Sequence, residues 1–338
     1  MRRLLLASSI ALLSLGTARA ADWRLTTVDA PARVLAVETV AGGVRVDAGG
    51  LWYQVVAKDG GFGLTFIDKP KAAPLPEGAL PDGHVATGTH DIARAWLAEP
   101  TPRYDHGILG DKIEAGSLVV ETRDGKRHVV RLKDDAVFED LEPRLADLNG
   151  DGHDEIIVVK SYLKRGSALA VIGERKGKYE IVAETPPLGA PHRWLDPAGI
   201  ADFTGDGKPS IALVRQPHVI GMLELWRFSD GSLHKTAEMP DTANHIAGTR
   251  AIDMAATADF DGDGVADLAL PSLDRTHLRI VSFKGKPPAD KPHEIASVPL
   301  PAKAATDFGL IGMAAGAPPA IAFGLADGTL VVARQSAP

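Results

Sequence analysis

Three short runs of oxygen-bearing side chains carry the chemistry most legible in this chain: Asp147-Leu-Asn149-Gly-Asp151-Gly-His153-Asp-Glu155, Asp202-Phe-Thr204-Gly-Asp206-Gly-Lys-Pro-Ser210 and Asp259-Phe-Asp261-Gly-Asp263-Gly-Val265-Ala-Asp267. Side chains at the first, third and fifth positions of such a turn converge on one point, and the glycine at the sixth permits the reversal. Hard oxygen ligands in this number suit Ca²⁺ better than a transition metal. The ligands expected in the first loop are Asp147, Asn149, Asp151, the carbonyl of His153 and Glu155. Those in the third are Asp259, Asp261, Asp263, the carbonyl of Val265 and Asp267. The second is weaker, because Asp202 and Asp206 remain while Thr204 and Ser210 replace stronger ligands. Two calcium ions are expected, with a third possible, and the second loop is expected to bind poorly or stay empty. An EF-hand would need a bidentate Glu at the twelfth position, where this chain has Val158 or Leu270. A metal-free Gly/Asp turn is the alternative, but it would leave several carboxylates repelling one another within nine residues.

The loops sit in a repeat. Asp147, Asp202 and Asp259 lie 55 and 57 residues apart, and each loop is followed by a short apolar segment. Met254-Ala-Ala recurs as Met313-Ala-Ala and suggests a further copy without its loop, and Gly110-Asp111 before Ser117-Leu-Val-Val-Glu121 suggests a weaker one upstream. Between the anchors the segments are short, β-branched and alternating, as in Ser167 to Gly173, Lys178 to Glu184, Leu223 to Phe228 and His277 to Phe283. Four strands per repeat predict an all-β fold, a single β-propeller of four-stranded blades. The 318 residues after position 20, at about 53 per repeat, give six blades; seven is the alternative, because residues 29 to 100 parse poorly. Trp23 to Val28 would complete the last blade, begun near Asp307, and close the ring. The Pro-rich stretch at 69–82 reads as a loop between blades.

These loops, with the strands after them, resemble the FG-GAP/VCBS repeats of the integrin α-chain propeller and of many exported bacterial proteins. The resemblance covers residues 102 to 330 and is strong at the first and third loops. It implies a calcium-stabilised propeller used for protein or glycan binding and adhesion, although some proteins with such repeats are polysaccharide lyases or phospholipases. The literal Phe308-Gly and Gly316-Ala-Pro have no loop between them and do not add to it.

A second regularity precedes the loops. Asp196, Asp253 and Asp105 each lie six residues before Asp202, Asp259 and Asp111, with Arg193 and Arg250 nine before and Arg103 eight before; His106, His192, Trp194 and His245 fall nearby. At about 3.3 Å per strand residue these groups belong on the face opposite the calcium loops. Arg103, Asp105, His106, His192, Arg193, Asp196, Arg250 and Asp253 could form a ligand face, since Arg forks suit carboxylate or phosphate. Equally, each Arg/Asp pair could tie neighbouring blades together.

Composition and signals bound the function. The chain has 338 residues and a net charge of −7, or −10 without Arg2, Arg3 and Arg19, which argues against a nucleic-acid partner. There is no Cys, hence no disulfide, thiolate metal site or lipoprotein anchor. Residues 1–20, with Arg2 and Arg3 before an apolar run and Ala-Arg-Ala at the end, read as a cleaved signal peptide, so a periplasmic or secreted protein with no membrane span is expected. No Gly-x-Ser-x-Gly, P-loop or His-Glu-x-x-His motif is present, and no catalytic residue is assigned. Sparse aromatics weaken a lectin reading. His84, His90 and His128 read as surface residues, and Lys160 to Lys178 as a solvated basic stretch. The leading expectation is a monomeric, non-catalytic module binding an envelope or extracellular protein or polysaccharide. The alternative is a lyase- or hydrolase-type enzyme using the Arg/Asp/His face.

Overall fold

Two-residue turns with positive φ make the outer hairpins. Asp59-Gly60 (49° and 75°), Lys176-Gly177 (53° and 80°) and Asp230-Gly231 (51° and 70°) each join two strands in this way. This is the type I′ pattern, whose twist matches that of the strands it connects, and a glycine in second place adopts it at little cost. The computed structural model describes residues 22–285, 291–313 and 317–336. Among them there is no helix, and none therefore long and apolar enough to cross a membrane. The expected leader, residues 1–20, lies outside the described residues.

Strand β1 (Trp23–Val28) precedes a four-stranded antiparallel sheet of β2 (Val34–Val40), β3 (Gly43–Ala48), β4 (Leu51–Lys58) and β5 (Gly61–Ile67). Next come β6 (Ala86–Thr87), β7 (Ile92–Thr101), β8 (Glu114–Thr122), β9 (Arg127–Arg131), β10 (Ala136–Phe138), β11 (Arg144–Ala146), β12 (Glu155–Tyr162), β13 (Gly166–Arg175) and β14 (Lys178–Glu184). These nine form one sheet, in which β9 and β10 share an edge of β8 while β10 and β11 share an edge of β12. Two more four-stranded sheets follow: β15 (Leu195–Ala201), β16 (Ser210–Arg215), β17 (Met222–Ser229) and β18 (Ser232–Met239), then β19 (Ala256–Ala258), β20 (Asp267–Pro271), β21 (His277–Ser282) and β22 (His293–Pro299). Finally β23 (Gly309–Ile311), β24 (Ala320–Gly324) and β25 (Leu330–Gln335) pair in order, and β1 adds to β25 from Trp23↔Gln335 to Val28↔Leu330.

Successive sheets stack face to face, as a propeller requires. β14 packs on β18, β15 on β19 and β1 on β22, and β2 and β3 pack on β24 and β23, where the last sheet meets the first. Strands in the middle of a sheet are therefore covered on both sides. Ile156, Ile157, Val158 and Val159 of β12 are all fully buried, and burial of such a side chain contributes roughly 1.5–3 kcal/mol. The third-to-fourth strand hairpins of three consecutive sheets carry a bulge at one equivalent place, at Val171/Ile172, Leu225/Trp226 and Ile280/Val281, which increases the local twist. Between β5 and β6 no strand forms; Ala79 bridges to Ala98, and Leu80 is buried beneath.

Two repeat alignments are corrected. Asp111 does not head an inner strand: it lies between β7 and β8, and β8 is flanked by β7 and β9, the third strand of its group. Met313 follows β23, whereas Met254 precedes β19, so the true counterparts are Ala256 and Gly309, each opposite an alanine (Ala269 and Ala322). Any antiparallel repeat offers several apolar strands behind Gly or Ala pairs, and only the pairing register tells second strand from third.

Candidate functional site

The three Asp loops join the innermost strand of a sheet to its neighbour, β11 to β12, β15 to β16 and β19 to β20. Their frames are alike. Asp147 accepts from the N–H groups of Gly150 (2.7 Å), Asp151 (3.1 Å) and Gly152 (2.9 Å). Asp202 does the same with Gly205 (2.9 Å), Asp206 (3.2 Å) and Gly207 (2.7 Å). Asp259 repeats it with Gly262 (2.7 Å), Asp263 (3.1 Å) and Gly264 (2.8 Å). Both loop glycines take positive φ in every copy, 73° to 86°, a conformation that side chains disfavour.

Inside the frames the loops diverge. In the third, oxygens of Asp259, Asp261 and Asp267 all lie within 4.8 Å of one another. Asp267 is fully buried; its Oδ2 accepts from Phe260 N–H (3.0 Å), but its Oδ1 bonds nothing. Burial, with the charges of Asp261 and Asp263, pushes its carboxyl up to about 6 against the opposing pull of Phe260 N–H and of the Ser282 hydroxyl, which lies near but not in hydrogen-bond geometry with Oδ1. Burial and Asp263 likewise raise Asp261. An orphaned buried oxygen facing two more carboxylates fits a hard cation. Asp263 is drawn aside by Lys284 Nζ (2.9 Å).

In the first loop Glu155 stands where Asp267 stands in the third. It accepts from Leu148 N–H (2.8 Å) and from Asn149 Nδ2 (2.8 Å). Burial first, then the charges of Asp151, Asp147 and Asp154, push its carboxyl up to about 7. Asp151 faces the same loop and accepts from His153 N–H (2.9 Å), while the His153 imidazole turns to Asp91 (3.3 Å). Asp147, Asn149, Asp151 and Glu155, with the His153 carbonyl, are the residues that could hold a cation here. In the third loop the set is Asp259, Asp261 and Asp267, with Asp263 and the Val265 carbonyl beside them.

The second loop already has a cation, and it belongs to the protein. Arg227 of β17 donates two bonds from Nη1 to Asp206 (3.1 and 3.0 Å), one from Nη2 to Thr204 Oγ1 (3.1 Å) and one from Nε to Ser210 Oγ (3.0 Å). Against its partial burial, Arg227 holds the Asp206 carboxyl below the usual range. The register explains the placement. One step beyond the paired residues Ile156–Ile172, Ile211–Trp226 and Leu268–Val281, the ninth loop residue meets Gly173 in the first sheet, Arg227 in the second and Ser282 in the third. Where the ninth residue is acidic, its neighbour is small; where it is Ser210, its neighbour carries the charge.

At the opposite ends of the strands, the predicted ligand face is only partly assembled. His106 Nδ1 bonds the buried Glu139 (2.6 Å), whose other oxygen accepts from Ser161, and His106 stacks on His192 with centroids 5.1 Å apart. His192, at φ 61°, donates its N–H to Tyr104 OH (2.7 Å), and its ring lies 3.4 Å from Asp105. Trp194 donates to Glu139 O (3.1 Å), and His245 bonds His218 (3.0 Å). The arginines do not meet the predicted aspartates. Arg103 donates to Ala136 O (3.0 and 2.7 Å) and Arg193 to Leu188 O (3.0 Å). Arg250 reaches across to Asp82 (2.8 Å) and Asp111 (2.9 Å), and Gly248 N–H bonds Ile108 O (2.7 Å). Asp196 is buried without a partner, and Asp253 lies on the channel. His84 is exposed, as expected, and bonds Glu142 (3.2 Å), whereas Lys160 is buried against Glu184 (2.6 Å), unlike the solvated role expected of it.

Sequence reasoning missed Glu139, Asp140, Arg144, Arg227 and Asp307. Asp140 lies seven residues before its loop rather than six, and Asp307 lies 54 after Asp253 with no loop following, so a looser spacing rule would have found both. Arg227 has no local signal.

Comparison with known proteins agrees with the loop geometry. A model of the FG-GAP-like repeat matches residues 147–213 and 202–270, windows that begin at the leading aspartates of the first and second loops. No curated protein matches the chain. A crystal structure of rhamnogalacturonan lyase YesW is similar at 15% identity and a TM-score of 0.43, over 88% of this chain and 64% of that one, a likeness that assigns no activity. Residues 147–270 therefore carry FG-GAP-like repeats.

Proposed function

We propose that the protein is an exported, calcium-binding β-propeller that acts as a non-catalytic binding module for a protein or polysaccharide at the cell envelope. The observation that carries the calcium reading is the orphaned Oδ1 of Asp267, buried beside Asp259 and Asp261. Ca²⁺ in the first and third loops would be held by the residues named above and would fix the ends of the inner strands. The nine-stranded sheet, read as two blades joined through β10, brings the count to six. Fold alone does not choose between binding and catalysis. Two features favour binding: the face opposite the loops is strapped by Arg250 onto Asp82 and Asp111, and Ile108, Leu109 and Ile252 pack into one core beneath.

A second reading, a lyase- or hydrolase-type enzyme, draws on His106, which Glu139 orients as a base. Arg103 and Arg193, the cations such a site would use, are bonded to backbone carbonyls instead. The test is a calcium titration by calorimetry with melting curves, followed by capture from envelope extract with and without calcium. Two bound ions and calcium-dependent capture are expected. An unchanged melting temperature after chelation would sink the metal reading, and turnover of a polysaccharide that His106→Ala abolishes would sink the non-catalytic one.

A further inference from the structure

The strands at the outer rim of the sheets are guarded, with one exception. β9 carries Arg127 and Arg131, β14 carries Lys178, Glu180 and Glu184, and β18 carries Lys235 and Glu238. β22 carries Glu294 and ends at Pro299, and β1 carries Arg24. Charges, proline and bulges such as those at Val171/Ile172, Leu225/Trp226 and Ile280/Val281 are how an open sheet edge is kept from pairing with another chain. β5, which reads Gly61-Phe62-Gly63-Leu64-Thr65-Phe66-Ile67, has none of them. It pairs with β4 in unbroken register from Trp52↔Ile67 to Lys58↔Gly61, and none of its residues is buried. Phe66 is 59% exposed.

The free edge has a definite pattern. In a two-residue hairpin the residues flanking the turn exchange hydrogen bonds, and bonded and unbonded pairs alternate from there. Gly61, Gly63, Thr65 and Ile67 therefore bond β4, while Phe62, Leu64 and Phe66 turn their N–H and C=O groups away from it. Among the described residues no backbone group elsewhere bonds these three. We propose that this edge pairs with the same edge of a second copy, antiparallel about a two-fold axis at Leu64, in place of the monomer expected from the sequence. One sheet then runs through both protomers. About Leu64, Phe62 falls opposite the partner's Phe66. That brings the most exposed ring of the strand to the rim of a cavity of about 700 Å³, which Phe62 lines with Val55, Leu310, Ile311 and Met313. The same symmetry sets Asp59 level with the partner's Lys69, both exposed, so opposite charges meet at each end of the strand pair. A shift to the next register that keeps the hydrogen bonds loses both matches. Backbone bonding alone would admit any extended segment; the paired rings and charges select a second copy.

The first sheet carries no Asp loop, so the measurement is made in saturating calcium, by sedimentation equilibrium over about 1 to 200 µM protein. Wild type should reach twice the monomer mass. Phe66→Lys, which changes an exposed side chain, should sediment as a monomer with the melting temperature of wild type. Phe66→Pro, which removes an N–H that bonds nothing within the chain, should do the same. Lys69→Asp should raise the dissociation constant roughly tenfold, since two exposed ion pairs become like-charge pairs. Asp59→Lys combined with Lys69→Asp should restore the dimer; Lys176 holds the same turn position at φ 53°, so the first change suits the turn. Wild type monomeric throughout the range, a dimer that survives Phe66→Lys, or a charge swap that restores nothing would each overturn the proposal, whether or not the edge captures a strand from another protein.

Discussion

The second Asp loop and its two neighbours share one backbone frame but differ in where the positive charge comes from. In the first and third loops the ninth residue is a carboxylate facing a small residue, Gly173 or Ser282; in the second it is Ser210 facing Arg227. The frame fixes the leading aspartate, which three backbone N–H groups hold in each copy, while three carboxylates come within 4.8 Å of one another in the third loop. On the calcium reading proposed above, every loop takes a cation. On that reading the first and third take it from solution, Lys284 reaching only Asp263 in the third, whereas the second carries a guanidinium whose planar fork satisfies Asp206 twice and reaches two hydroxyls besides. A loop that looks degenerate by its ligand set is thus a loop complete by itself.

The largest effect should come from removing the orphaned acid. In calcium at a hundredfold excess over its dissociation constant, Asp267→Asn should lose one bound ion and with it about 2.7 kcal/mol of stabilisation, read as ion stoichiometry and melting temperature. Retention of both ions would break the contrast. Arg227→Ala should cost less, about 1–2 kcal/mol, because it leaves Asp206 and Ser210 unpaired at a partly exposed site. That loss should be the same with calcium or with chelator, and a calcium-dependent loss would mean that the second loop also takes an ion. The sharper test converts one type into the other. Ser210→Asp combined with Arg227→Ser should give a third calcium site at little cost in stability when calcium is present, and a variant still binding two ions would show that the small neighbour is not what admits the metal.

How much of this could be read in advance depends on how local each signal is. The loops were legible at once, because their ligands fall within nine residues and the spacing alone aligns them. The closing strand was legible too, since Trp23 to Val28 is a strand left over at one end and the last sheet lacks one at the other. Arg227 was not, for it lies 17 residues after Ser210 and meets it only through the β16–β17 register. The Arg/Asp pairing on the opposite face was misjudged for a related reason. Arg103 and Arg193 find backbone carbonyls left open at strand ends, and Arg250 finds acids on the far side of the channel, partners that no sequence offset encodes. Asp140 and Asp307 escaped because insertions of a residue or two between sheets shift the period without moving the strand.

The smallest expected effect is a difference in pH dependence between the two kinds of loop in the absence of calcium. Glu155 and Asp267 have their carboxyls raised to about 7 and about 6, chiefly by burial, from ordinary values of 4.5 and 3.8. A group raised on folding favours the folded state fully below its ordinary value, and that contribution is lost as pH rises through the raised one. Chelated protein should therefore lose melting temperature between pH 5 and pH 7.5, and calcium should restore more of it at the higher pH, because the ion binds the ionised form. Asp206, lowered by Arg227 against its burial, contributes in the opposite sense and only below its ordinary value of 3.8, so the second loop should be flat over this window. Asp307 titrates in the same range, so the quantity to read is the change in slope between wild type and a Glu155→Gln, Asp267→Asn double variant. The double variant should have the shallower slope, and Arg227→Ala should leave the slope of wild type unaltered. If instead Arg227→Ala flattens the slope and the double variant does not, the division between self-supplied and solution-supplied cations is drawn around the wrong loops.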